Sequence, residues 1–146
     1  MDFSIPKDIQ DKIEELDEFI EREIKPLEKD NMQFFDHRRE NARTDWDNDG
    51  QPTKEWEKLL REMKDRADAA GHLRFGLPKE IGGQDGSNLA MAMIREHLAH
   101  KGLGLHNDLQ NESSIVGNFP LVIMMWRFGT DAQKEEFLPA LITGGR

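Results

Sequence analysis

Three stretches of this chain carry residue types that could do chemistry. Asp45-Trp46-Asp47-Asn48-Asp49-Gly50 puts oxygen ligands at the first, third and fifth places of a loop and glycine at the sixth, as a calcium loop begins. The bidentate glutamate belongs at the twelfth place. That residue is Trp56, with Glu55 and Glu57 one step to either side, and Pro52 blocks pairing with a partner loop. Such a motif counts only in its context, so the segment reads as an Asp/Asn/Gly turn leading into a helix. Glu96, His97, His100 and His106 form the second group. His97 and His100 stand one helical turn apart and can share a face. The His-Glu-x-x-His order of zinc proteases is absent, because Glu96 precedes His97. Ordinary surface or interface histidines are expected, with no metal. The third stretch, Gly71 to Ser87, holds five glycines and Pro78. It matches neither phosphate-binding glycine pattern and is expected to be a compact surface loop anchored by Leu73, Phe75, Leu77 and Ile81.

Composition narrows the function classes. The chain has 146 residues, the size of one domain with a substantial core. It carries 29 acidic against 20 basic residues, a net charge of −9. That balance disfavours nucleic acid and anionic membrane surfaces as partners. The absence of cysteine excludes disulfide and thiolate chemistry. No apolar run is long enough to span a membrane, and the first residues lack the basic and apolar regions of a signal peptide. A soluble, cytoplasmic domain is the expectation. Strand formers are sparse, with no Tyr and Val only at 116 and 122, which favours helix.

Periodicity supplies the elements that would position these residues. Ile9, Ile13, Leu16, Ile20 and Ile24 recur at helical steps over residues 8–25, with Phe19 beside them and Pro26 marking an end or a kink. Residues 27–52 are irregular. Thr53 caps a second helix over 53–70 with Trp56, Leu59, Leu60, Met63, Ala67 and Ala70 on one face and Gly71 as its stop. Ser87 caps a third over 88–101, buried through Leu89, Ala92, Met93 and Leu98 with Ile94 nearby, and Gly102 closes it. A polar helical stretch, His106 to Ser114, then leads into the apolar run Ile115 to Trp126. That run reads as a buried helix bent or broken at Gly117 and Pro120. It either fills the core or faces another domain, and any bare surface there would favour self-association. Gly129 stops a helix by taking positive φ. Thr130 and Gln133 form a capping box with Asp131 at the positive end of the dipole. Phe137, Leu138, Leu141 and Ile142 give the last helix its apolar face, and Gly144-Gly145 end it. The fold class is all-α, an up-and-down bundle of about five to six helices with one long Gly-rich loop.

Two motifs stand together in this order: Ala70-Gly71 with Leu77-Pro78-Lys79-Glu80-Ile81-Gly82-Gly83, and Phe128-Gly129-Thr130-Asp131-Ala132-Gln133-Lys134 with Phe137-Leu138-Pro139-Ala140-Leu141 and Gly144. The chain resembles the N-terminal helical domain of the flavin-dependent acyl-CoA dehydrogenases, which carry a proline-acidic-glycine-glycine loop and a Gly-Thr-x-x-Gln-Lys-x-x-(aromatic)-Leu-Pro-x-Leu segment. The likeness covers essentially all 146 residues, more loosely in the front third.

The resemblance implies a three-domain enzyme in which a carboxylate takes the α proton of an acyl-CoA thioester and the β hydrogen passes to FAD as hydride. It places the base and most FAD contacts beyond Arg146. The chain is therefore expected to be a fragment, residues 1–146 being the N-terminal domain without the middle β-domain and C-terminal bundle. It has no catalytic residue and is inactive alone. The family's partners would be acyl-CoA, an electron-transfer flavoprotein or other acceptor, and further copies of the full-length protein. The N-terminal domain lends one wall of the acyl pocket, from the helix before the Gly-Thr motif. Alignment on Gly117-Asn118 and Gly129 assigns Glu112, Ser113, Val116 and Pro120 to substrate binding, with Leu109 a further candidate. Phe119-Pro120 and Met124-Met125-Trp126-Arg127 depart from the family pattern and bear on chain length. The alternatives are a stand-alone helical interaction module and a calcium-responsive module.

Overall fold

The computed structural model describes residues 4–36, 42–108 and 113–143. Gly144 and Gly145 lie outside them. Among the described residues the fold is all-α, with five helical rods and little strand. α1 (Lys7–Phe19) runs through one wide turn (Ile20–Ile24) into α2 (Lys25–Lys29). Pro26 does not end this rod. It lacks an N–H for the Arg22 carbonyl and its ring crowds that carbonyl. The Lys25 N–H bonds instead to Ile20, five residues back, and the widened turn absorbs the proline. Ile9, Leu16, Phe19, Ile20, Ile24 and Leu27 are buried along one side. Lys12 is buried on the same stripe.

β1 (Thr44–Asp45) and β2 (Gln51–Pro52) pair antiparallel, Thr44 opposite Pro52. The acidic stretch between them is therefore the turn of a short hairpin. Its Asn48 and Gly50 N–H groups both bond to the Asp45 carbonyl. α3 (Lys54–Ala69) starts on the Thr53 hydroxyl, which accepts from the Trp56 N–H at 3.3 Å. It buries Trp56, Leu59, Met63 and Ala67, with Leu60 partly buried and Ala70 exposed beyond its end. Gly71 (φ 79°) and Gly102 (φ 87°) close α3 and α4 in the left-handed region. α4 (Asn88–His100) is capped by Ser87, which accepts from the Ala90 N–H at 3.1 Å. Its buried face is Ala90, Ile94 and Leu98, and Leu89 is exposed. Every residue from Leu89 to Ile94 is apolar, so periodicity leaves the face open, and packing against α1 decides it.

The expected helix over His106 to Trp126 is shorter. β3 (Asn107–Asp108) pairs antiparallel with β4 (Ser113–Ser114), Asn107 opposite Ser114. The chain bends at Ile115 and Val116 and is irregular to Phe119, and α5 (Pro120–Phe128) begins at the proline. Serines and β-branched Ile115 and Val116 are weak helix formers. Gly117 and the restriction on a residue before proline remove what helix tendency is left. α6 (Asp131–Ile142) opens with the complete capping box of Thr130 and Gln133. Gly129 has φ −67°, ψ 149°, extended rather than left-handed. Glycine suits this place because an added Cβ would stand 2.5 Å from the Met125 carbonyl oxygen.

Two apolar clusters hold the molecule. The larger gathers α1, the wide turn, α3, α4, Leu73, Leu105, Ile115 and Val116. The smaller joins Leu77 and Ile81 of the Gly-rich loop to Val122, Leu138, Leu141 and Ile142 of α5 and α6. The two sequence motifs are thus one packing unit, and Phe119 touches both clusters. In α6 the expected face holds at Leu138, Leu141 and Ile142, while Phe137 is exposed.

Candidate functional site

The Gly-rich loop is fixed by its own backbone. The Gly83 N–H bonds to Pro78, Asp85 to Leu77 and Gly86 to Phe75, each at 2.9 Å. Leu73 and Leu77 are buried and Phe75 and Ile81 half-buried, so these four anchor it. The loop is tied sideways to the irregular 115–119 segment, since the Gly117 N–H donates to the Leu73 carbonyl at 2.9 Å. This bond seats the start of α5 beside α4. Between them lies a cleft of ≈ 230 Å³. Its walls are Gly76 and Leu77 of the loop, Met91 and Arg95 of α4, and Phe119 and Pro120 at the head of α5.

The described residues of the sequence-assigned set, Ser113, Val116 and Pro120, do not meet at one surface. Pro120 is exposed and lines this cleft. Ser113 and Val116 are buried, Val116 wholly within the larger cluster. The Val116 N–H donates to the Ser114 hydroxyl, which itself donates to the His106 carbonyl, both at 3.3 Å. Glu112 and Leu109 lie outside the described residues. On the outer side of α5, Leu121, Met124 and Phe128 are 54%, 60% and 83% exposed, a row at helical spacing that nothing in the described chain covers. The apolar run is therefore divided: Ile115, Val116 and Val122 fill the two clusters and part of α5 faces outward.

The histidines take separate roles. His97 Nε2 lies 2.8 Å from Asp17 Oδ1, and Lys101 Nζ reaches the same oxygen at 2.9 Å. Burial raises the Asp17 carboxyl, but these two hydrogen bonds and charges outweigh it and hold the group below its ordinary value. His100 is exposed beside Glu96. His106 is buried, with Nε2 3.3 Å from the Leu98 carbonyl, and burial lowers its pKa. Among the described residues no three His, Asp or Glu side chains are grouped to hold a metal.

A buried pair had no motif to announce it. Lys12 Nζ lies 2.9 Å from His72 Nδ1 and 3.1 Å from Glu15. An ammonium can only donate, so Nδ1 accepts and the imidazole is neutral. Phe19 packs edge-on to the ring, centroids 4.7 Å apart. Burial pushes the His72 pKa down to about 4, and the Lys12 charge adds to this against Glu15. The sign follows from linkage. The unfolded chain takes up the proton first, so the stability tied to neutral His72 is present above its unfolded pKa of 6.5 and is lost as pH falls towards 4. Urea midpoints should drop between pH 6.5 and 4, and His72→Gln should flatten that slope. Equal slopes in the two proteins would rule this out. The sequence signal was Lys12 itself, three residues after Ile9 on an otherwise apolar stripe.

The Lys12 side opens on a larger cleft of ≈ 490 Å³ rimmed by Asp8, Asp11, Glu15 and Asp85. Four carboxylates repel the pyrophosphate of a flavin dinucleotide. The other cleft, at ≈ 230 Å³, is too small for a dinucleotide, since pockets for drug-sized ligands alone run to roughly 300–1,000 Å³. The described residues therefore do not make a flavin site by themselves.

No curated protein and no solved structure is significantly similar to the chain. A family model, acyl-CoA dehydrogenase, N-terminal domain, matches residues 7–145. The match spans the α1 rod, the Gly-rich loop and the capped α6 alike. With its two motifs packed into one apolar cluster inside an all-α fold, the chain belongs to the acyl-CoA dehydrogenase N-terminal domain family.

Proposed function

We propose that this domain works as part of an FAD-dependent acyl-CoA dehydrogenase, an oxidoreductase that oxidises the Cα–Cβ bond of an acyl-CoA thioester. The domain supplies one wall of the acyl pocket, and the chemistry belongs to other parts of the polypeptide. The carrying observation is the uncovered row Leu121, Met124 and Phe128 beside the cleft at Pro120. An apolar face of this kind suits a lipophilic chain and a neighbouring domain. Pro120 touches the acyl group, and Glu112, Ser113 and Val116 are assigned to the same wall by the resemblance alone, Ser113 and Val116 being buried in the domain by itself. Electrons leave through an electron-transfer flavoprotein or another acceptor, and the full-length protein assembles with further copies of itself in the cytoplasm.

The test is flavin absorbance with acyl-CoA-dependent bleaching, run on the full-length gene product beside the 146-residue chain. The longer protein should carry flavin and bleach, and the domain alone should do neither. A full-length product without flavin would remove the proposal. The same uncovered row also suits a protein partner, the reading in which the domain is an interaction module without chemistry. A full-length product that binds a specific protein but no flavin would favour that reading.

A further inference from the structure

The cleft between α4 and α5 differs from the rest of this acidic molecule. None of its lining residues is Asp or Glu, in a chain that has 29 of them. The larger cleft on the other side of the Gly-rich loop has four. Arg95 lines the carboxylate-free cleft and is half-buried. It makes no hydrogen bond or ion pair with any described residue. Half-buried Arg66 and Arg74, by contrast, have carboxylate partners. A guanidinium presents a planar fork of donors matched to two oxygens of one anion. Asn88 and Asn118 line the same cleft, and their carboxamides can donate further hydrogen bonds. Leu77, Met91, Phe119 and Ile123 supply the rest of the lining.

We propose that this cleft is a binding site for a small aliphatic carboxylate, with the Arg95 guanidinium reading its two oxygens and the apolar lining taking its hydrocarbon arm. One unpaired cation matches one negative charge, which favours a monoanionic carboxylate over phosphate. The apolar walls favour a ligand with carbon attached to the anion. The heads of α4 and α5, Asn88 and Pro120, also line the cleft, and their dipoles add positive potential without making the site by themselves. The proposal does not depend on the chain belonging to a working dehydrogenase, because it needs neither flavin nor thioester.

The probe is hexanoate, titrated into the ¹⁵N-labelled 146-residue chain and followed by amide shifts, with hexanamide and inorganic phosphate as separate arms. Saturable binding is expected at roughly millimolar concentration, the range open to so small a ligand. Shifts should centre on Met91 to Arg95 and Gly117 to Ile123. Hexanamide and phosphate should each bind at least tenfold more weakly. Arg95→Met, which keeps the stem and removes the charge, should weaken hexanoate at least tenfold, and Arg95→Lys should fall between. Each variant's own spectrum reports its folding, and if Arg95→Met does not fold, Arg95→Lys and hexanamide still decide. Hexanamide binding as well as hexanoate would overturn the proposal, as would shifts confined to Leu121, Met124 and Phe128. Phosphate binding as tightly as hexanoate would overturn the carboxylate assignment in favour of a general oxyanion site.

Discussion

Trp56→Ala is expected to cost about 3–5 kcal/mol of folding stability, the largest single-residue effect in the molecule. Trp56 is 2% exposed. Its ring lies 5.3 Å from Phe34 and 6.1 Å from Phe35, and the Arg43 guanidinium sits 4.2 Å above it. The cation–π contact accounts for only about 0.5–2 kcal/mol, so the cavity and lost burial dominate. Arg43 is held in place by its Nε donation to the Phe34 carbonyl at 2.8 Å and by the Thr53 N–H on its own carbonyl at 3.0 Å. Removing the indole therefore loosens the irregular segment before α3 along with the core. A domain of this size has about 5–15 kcal/mol in total, so the variant would have little margin. Urea unfolding measures the loss, and Trp56→Phe should lie between. A loss under about 1 kcal/mol for the alanine variant would contradict the core placement.

Gly83→Ala should cost about 3 kcal/mol or more, at the upper end of what overpacking does. An added Cβ would stand 1.9 Å from the Leu77 carbonyl oxygen and 2.5 Å from the Leu77 Cβ. That carbonyl already accepts from the Asp85 N–H, so the loop cannot shift without breaking its own bonds. Leu77 is also a centre of the smaller cluster, so the damage reaches α5 and α6. Gly102→Ala is the control. Its Cβ would meet nothing within 4 Å, leaving only backbone strain of roughly 1–2 kcal/mol at φ 87°. Thermal unfolding of the two variants separates steric exclusion from strain. Equal losses would show that close approach is not why residue 83 is glycine.

The contrast between these glycines explains how much of the fold could be read. Thr53, Ser87 and the Thr130–Gln133 box start helices where their chemistry says they should. Each cap involves atoms within three residues, so the signal is complete locally. The Gly-rich loop was legible as a loop anchored by four apolar residues. That Gly83 lies against Leu77 was not, because the close approach exists only once the loop has closed. Gly129 makes the same point in reverse: its identity was noted, but the reason is the Met125 carbonyl rather than a positive φ. The segment from His106 to Phe119 was misjudged because polar and apolar blocks imitate a helix. Its pairing of Asn107 with Ser114 and its bond from Gly117 to Leu73 come from partners outside any helical window.

The candidate site divides along the same line. Pro120 was assigned through the resemblance and lies on the cleft. Ser113 and Val116 share its segment but are buried, since a non-helical chain does not keep the three on one helical face. Arg95 stood in the sequence as one more charge on α4, and only its lack of a partner among the described residues, inside a cleft lined by no carboxylate, distinguishes it. By itself the sequence determined four of the five rods, the caps at Thr53, Ser87 and Thr130, the two motifs and hence the family. These depend on spacing and side-chain chemistry within a few residues. The tertiary structure alone decided which face of α4 is buried, that Lys12 meets His72 sixty residues away, that the two motifs share one cluster, and that Arg95 lines a cleft without carboxylates. Those outcomes depend on desolvation and contact between distant segments, which no local window contains.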